Sequence, residues 1–270
     1  DEPFDKHGNG TLTLRCGGRD CTQEVAEADY FYDLPEIPNA KSYQVNADAL
    51  FQRYKRIRYA LASSTTRPTF QCVQFLDNRM VAVDGYRLAV SQDEAFRIEG
   101  RFYVPPGAME LLPVLGNADC SVQVGERHIA FVCDEARIVF RAPAGEGLNV
   151  DAAVPKTSQE EHVMDVDTLI RDVQYLNEFV TRPERQAVRI AERSMSLSTP
   201  VGKCSVTLEL REPLQTICGV NARYMLDGLK QFKAKKTQTI TMGLSSPRSP
   251  ILLTDGDGDL AMILPMRLED

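Results

Sequence analysis

The same order of elements occurs four times in this chain of 270 residues: a short strand, a helix, then three strands. In the first unit, "SYQVN" (42–46) reads as a strand. The stretch "ADALFQRYKRIRYALA" (47–62) has helical spacing, with Leu50, Tyr54, Ile57 and Leu61 on one face. Three strands follow, "TFQCVQFL" (69–76), "RMVAV" (79–83) and "RLAVS" (87–91), with tight turns at Asp77-Asn78 and Asp84-Gly85. The pattern returns from "RFYV" with "PPGAMELLPVL" (105–115), from "HVMDV" with "DTLIRDVQYLNEFVT" (167–181), and from "QTICGV" with "NARYMLDGLKQFKAKK" (221–236). Asp167 and Asn221 are the expected N-caps of the last two helices.

A period of about 45 residues marks a supersecondary unit that cannot bury its own hydrophobic face. Two such units back to back can close a core, so four units predict two domains of α+β class, with helices on one face and antiparallel sheets on the other. The most polar connector, "AAVPKTSQEE" (152–161), puts the boundary near residue 155, giving domains over 40–155 and 156–270. Residues 1–39 break the pattern. "TLTLRCGGRDCTQEV" reads as a hairpin turning at "GGRD", across which Cys16 and Cys21 could face each other. It is expected to be the end of a preceding domain, or alternatively an edge hairpin added to the first domain.

Composition narrows the function classes. The chain is 43% hydrophobic and 26% charged, as an ordinary globular protein is. No run of 18 apolar residues exists, so no membrane-spanning helix is predicted, and the acidic start resembles neither a signal nor a transit peptide. Seven irregularly spaced cysteines suggest reduced thiols in a cytoplasm. His7, His128 and His162 fall in different units, so no nucleophile–base pair is suggested. "DGDGD" (255–259) imitates a calcium loop but has Leu260 and Met266 where glycine and glutamate are needed; a hairpin turn is expected instead. Asp84, in "VDGYR", also reads as a turn residue. Neither catalysis, a metal nor a cofactor is predicted.

The last residues, "LAMILPMRLED" (260–270), are apolar on both faces of an extended segment, and are therefore expected to be buried or waiting to be covered. Together with the repeat and "VAVDGYRLAV" (81–90), the "MILPMRL" ending (262–268) resembles the beta subunit of bacterial DNA polymerase III, the sliding clamp. The resemblance implies the DNA-clamp fold, with three double-unit domains per chain and two chains forming a homodimer ring round duplex DNA. Residues 1–39 then correspond to the end of the first domain and its linker, "ADYFYDLPEI". With most of that domain missing from the match, the 270-residue species is expected to be a monomer or a non-ring association.

A ring needs cations facing phosphate and no base readout. The cations expected there are Arg53, Lys55, Arg56 and Arg58 on the first helix, and Arg171 on the third, with Arg182 just after it. Arg223, Lys230, Lys233, Lys235 and Lys236 are expected to do so on or just beyond the fourth. A net charge of -7 then belongs to the exterior. The competing reading is that these are solvated helix faces.

The resemblance also implies a groove that takes short extended peptides of polymerases, the clamp loader and repair proteins. Carried onto this sequence, it would use Arg67 and Phe70, then Gly85, Tyr86, Arg87 and Leu88. Leu148 and Ala153 would come from the interdomain linker. Met262, Ile263, Leu264, Pro265, Met266, Arg267 and Leu268 would come from the tail. Leu88, Leu264 and Met266 are the expected apolar walls, and Arg87 and Arg267 the expected donors to peptide carbonyls or a terminal carboxylate. Val83, Tyr86, Leu148, Ala152, Arg248, Pro250 and the added Glu269 and Asp270 depart from the family pattern, which bears on peptide selectivity. Two other readings stand beside the replication clamp: a clamp-like paralogue or fragment that binds peptides without encircling DNA, and an unrelated enzyme.

Overall fold

In the computed structural model, residues 9–26, 33–65, 67–93 and 97–268 are described. The chain divides into two compact units, 1–36 and 37–270. The first contains a hairpin of β1 (Asn9–Cys16) and β2 (Arg19–Ala26), joined through Gly17-Gly18. Its register sets Cys16 opposite Arg19 and Cys21 opposite Leu14, so the two cysteines are not cross-strand partners, and both thiols are free. Half of the expected linker at 28–37 falls outside the described residues, and His7 does as well.

The second unit carries the repeats. The first is β3 (Lys41–Asn46), α1 (Ala47–Ile57), β4 (Val73–Leu76), β5 (Arg79–Val83) and β6 (Arg87–Gln92). The second is β7 (Arg101–Val104), α2 (Pro106–Glu110), β8 (Asp119–Val124), β9 (His128–Val132) and β10 (Arg137–Arg141). After a short helix α3 (Val150–Ala153) comes the third: β11 (Glu160–Asp165), α4 (Val166–Asn177), β12 (Val188–Glu192), β13 (Ser194–Thr199) and β14 (Gly202–Thr207). The fourth is β15 (Leu214–Val220), α5 (Ala222–Ala234), β16 (Thr239–Leu244), β17 (Ile251–Thr254) and β18 (Leu260–Ile263).

Every sheet in this unit is antiparallel, and the repeats exchange strands. β3 pairs with β8 of the second repeat, and β7 returns to pair with β4 of the first. In the other half β11 pairs with β16 and β15 with β12. Each repeat thus completes its neighbour's sheet, which is why none closes a core alone. One core spans residues 45 to 131 and includes Leu50, Tyr54, Ile57, Phe75 and Phe131. Another spans 164 to 263 and includes Leu169, Val173, Met225, Leu229 and Phe232. Between them β6 pairs with β18, making one eight-stranded sheet of both halves.

The three long helices start alike. Asn46, Asp165 and Asn221 stand at the ends of strands, and each side chain accepts a hydrogen bond from the backbone N–H three residues on. Such a cap contributes about 1 kcal/mol. Asp165 therefore replaces the expected Asp167, whose carboxylate instead meets Lys233 of α5 at 2.8 Å. The segment expected as strand from residue 69 begins with a 3-10 turn, Pro68–Gln71, because Pro68 fixes φ and lacks a donor for a sheet. The turn at 255–259 joins β17 to β18, as the sequence suggests.

Glu160, on the edge strand β11, ties that strand to the start of β15. Its oxygens accept the N–H groups of Gln215 (2.8 Å) and Thr216 (2.7 Å), and His162 Nε2 lies 3.1 Å away. Burial raises the pKa of this carboxyl, but hydrogen bonds from Thr216, Gln215 and His162 outweigh it and bring it from 4.5 to about 2. Because the folded value is the lower one, the carboxylate stabilises the fold above pH 4.5, and that contribution is lost as the pH falls toward 2. Glu160→Gln is expected to lower stability by about 1–2 kcal/mol at pH 7. Urea titrations from pH 7 downward should show the gap to wild type closing between pH 4.5 and 2.

Candidate functional site

The junction between the halves begins with four paired positions, Leu260 with Val90, Ala261 with Ala89, Met262 with Leu88 and Ile263 with Arg87. A third apolar cluster seals it, formed by Phe70, Val81, Val83, Leu88, Val150 and Met262, with Leu148 packed against them. Polar groups bind it too. Gln231 of α5 donates to the Val90 carbonyl at 2.8 Å and accepts from the Tyr59 hydroxyl at 3.1 Å. Asp259 accepts the Gln92 N–H at 2.9 Å.

Arg87 is the most heavily engaged of these groups. Its Nε reaches Asp84 at 2.9 Å and its Nη1 reaches Asp227 of α5 at 2.7 Å. Its guanidinium lies 5.2 Å from the Tyr59 ring centre and 4.3 Å from that of Tyr224. Asp84 also accepts the N–H groups of Tyr86 and Arg87, so "DGYR" is a self-closed turn with Gly85 at φ +94°. Arg87 is therefore tied rather than free: its Nε closes its own turn and its Nη1 reaches across to the other half.

Beyond β18 the chain continues along the surface. The Leu264 N–H donates to the Tyr86 carbonyl (2.9 Å) and the Met266 N–H to the Gly219 carbonyl (2.8 Å). The approach to β15 is close enough that a Cβ on Gly219 would lie 2.6 Å from the Met266 oxygen. Leu264, Pro265, Met266, Arg267 and Leu268 then line a cavity of ≈ 610 Å³ together with Ile217, Cys218, Gly219, Pro247 and Arg248. Tyr86, 63% exposed, lines a second cavity of ≈ 550 Å³ with Arg87, Asn221, Arg223 and Tyr224. The Leu264–Tyr86 hydrogen bond links the rims of the two.

The expected groove residues thus separate into two sets. The five from Leu264 to Leu268 share the open cavity. Leu88 is 0% exposed and cannot be a wall; Met262 and Ile263 are buried on β18, which is interior to an eight-stranded sheet rather than an edge, and Phe70 is buried in the third apolar cluster. Arg67 lies over the Phe70 ring, and Ala153 is half-buried on α3. Glu269 and Asp270 are outside the described residues. The wall contributed by Ile217–Gly219 was not expected. Its signal is Gly219, since a glycine inside a strand marks a close backbone approach.

The expected DNA-facing cations separate in the same way. Arg53 is 4% exposed, with Nη2 on the Ser91 carbonyl at 2.9 Å. Arg56 reaches Ser91 and the buried Asp259, and Lys235, at the end of α5, reaches Asp255 and Asp259 of the 255–259 turn. These three are corrected from DNA-facing to structural: each neutralises carboxylates or carbonyls that the junction buries. Lys55, Arg58, Arg171, Arg223, Lys230, Lys233 and Lys236 are exposed. They lie on or beside three helices, of which α5 packs against both α1 and α4.

No family model matches the sequence. The curated beta sliding clamp of Chlamydia pneumoniae is 23% identical over 278 aligned positions, covering 97% of this chain and 75% of its own length. That of Bacillus subtilis is 22% identical, with 96% and 73% covered. The DNA polymerase III beta subunit of Thermotoga maritima superposes with a TM-score of 0.84 at 20% identity, over 99% of this chain and 76% of that one. The fold is that of the bacterial sliding clamp. The chain spans about three quarters of the length of the clamps it matches. A sliding clamp of Pseudomonas aeruginosa bound to griselimycin superposes with a TM-score of 0.81 at 20% identity, over 96% of this chain and 74% of that one.

Removing Arg87 from this clamp fold leaves Asp84 and Asp227 part-buried and unmatched. Arg87→Ala is expected to cost about 3–5 kcal/mol, visible as a lower urea midpoint, whereas Lys230→Ala on the exposed face of α5 should stay within about 0.5 kcal/mol of wild type.

Proposed function

We propose that this chain serves bacterial DNA replication as a processivity clamp. It holds duplex DNA without reading its sequence and tethers polymerase, clamp loader and repair proteins by short peptides. The observation that carries this reading is the cavity between the chain's own tail and β15, open beside the junction of the two repeated halves. An extended peptide laid there meets Leu264, Met266 and Ile217 as apolar contacts and Arg267 as a donor. The likeness to clamps of several bacteria supports the reading. The exposed cations of α1, α4 and α5 suit a phosphate-facing lining, in which charge alone guides the duplex. A cytoplasmic location belongs to the same proposal, as does a homodimer ring for the full-length form, the 270-residue species being a monomer or a non-ring association. No described helix is long and apolar enough to cross a membrane. Nothing in this role needs a catalytic residue, and we infer none.

The magnitudes suit partners that exchange. Two or three apolar side chains seated in the cavity each gain ~1.5–3 kcal/mol. Hydrogen bonds add about 0.5–1.5 kcal/mol each, and ordering a peptide takes several back. The sum is near -8 kcal/mol, or about micromolar.

The test is calorimetric titration of a short peptide carrying glutamine, leucine and a terminal Leu-Phe. Deleting Pro265 to Asp270 should abolish binding while the melting curve stays cooperative. Deleting Glu269 and Asp270 alone should preserve or strengthen it. Undiminished binding to the six-residue deletion would place the site elsewhere. Direct binding of linear DNA should be weak and should fall steeply with salt.

A further inference from the structure

We propose that the tail–β15 cavity selects acidic segments, through Arg248 and Arg267 acting as a pair. This rests on the reading that the cavity takes an extended peptide, and it names the chemistry of that peptide.

The two arginines line one cavity from different segments of the chain. Arg267 comes from the tail and Arg248 from the turn between β16 and β17. Both are exposed, and neither forms an ion pair among the described residues. The other described lining groups are apolar side chains, a thiol and a glycine, with no carboxylate among them. In a chain of net charge -7, this is a local concentration of positive charge against apolar walls. An occupant with only apolar side chains would leave both guanidinium groups to water alone.

Arg248 is also held in place. The Ser246 hydroxyl accepts the N–H groups of Arg248 (3.3 Å) and Ser249 (3.1 Å), and it lies 2.7 Å from the Ser249 hydroxyl. The Ser249 N–H donates to the Ser246 carbonyl at 3.1 Å, closing a turn with Pro247 at its second position. The backbone that carries Arg248 is thus fixed before any peptide arrives, so less order is lost on binding. A guanidinium offers two parallel donors that match a carboxylate, which a lysine does not. The occupant that fits is an extended peptide with apolar anchors for Leu264, Met266 and Ile217, and Asp or Glu between them.

The experiment uses fluorescence anisotropy with two labelled peptides, alike except for a central Asp-Asp in one and Asn-Asn in the other. Both are titrated with the whole chain and with the chain ending at Leu268. The ratio of the two Kd values is read, so a partly active preparation affects both alike. In each chain the Asp peptide is expected to bind about tenfold tighter at low salt, equal to 1.4 kcal/mol. The advantage should shrink as ionic strength rises. Arg248→Glu, on an exposed turn, should reverse the ratio. Equal Kd values in both chains, or an acidic preference that survives in Arg248→Glu, would overturn the proposal. Binding of neither peptide would overturn the peptide reading itself, an outcome distinct from equal binding of both.

Discussion

The pairing of β6 with β18 is the contact on which the other features of the second unit depend. It joins two halves, each with its own core, into one sheet, and it sets the Leu264 and Tyr86 backbones within hydrogen-bonding distance. Four residue pairs of backbone would be a slight tie by themselves. Side chains reinforce them: Arg87 bridges to Asp227, Gln231 reaches Val90, and Leu88 and Met262 are buried together. A buried charge is costly unless its donors are used. Arg87 meets that condition with two carboxylates and two tyrosine rings, so the cost of burying it becomes a penalty on separating the halves.

The junction also alters how the chain's charge should be read. Counting cations on helices treats every lysine and arginine as available to a partner. Here Arg53, Arg56 and Lys235 turn toward Ser91, Asp259 and the 255–259 turn, and cancel charge that folding would otherwise leave stranded. The exposed remainder forms a smaller basic surface, shared by α1, α4 and α5. The "DGDGD" segment finds its role here as well: the buried carboxylates of Asp255 and Asp259 face Lys235, while that of Asp257 stays in water.

Much of this was legible in the sequence where the signal is local. Helix α1 followed from the spacing of Leu50, Tyr54 and Ile57, and the burial of 261–263 from the two apolar faces of the ending. Arg53 could have been read the same way: it lies three residues after Leu50 and four before Ile57, on the buried stripe rather than opposite it. The exchange of lead strands was not legible, because pairing β3 with β8 depends on residues some 75 positions apart, which no local spacing records. The wall at Ile217–Gly219 was hidden for a similar reason: Gly219 signals a close approach, but not that Met266 is what approaches.

Because β18 is contributed so late in the chain, assembly has a direction. As the polypeptide emerges from the ribosome, the first two repeats can build their sheets and core from residues 41–141 alone. Their β6 edge then stays unpaired until residues 260–263 are made. An open edge flanked by Leu88 and Val90 is the kind that pairs with the wrong strand. The short, bonded "DGYR" turn, in which Arg87 meets Asp84, keeps charge at one end of that edge during the wait. The tail that walls the cavity is also the strand that ends this exposure, so a nascent chain offers partners no complete site until its halves are joined.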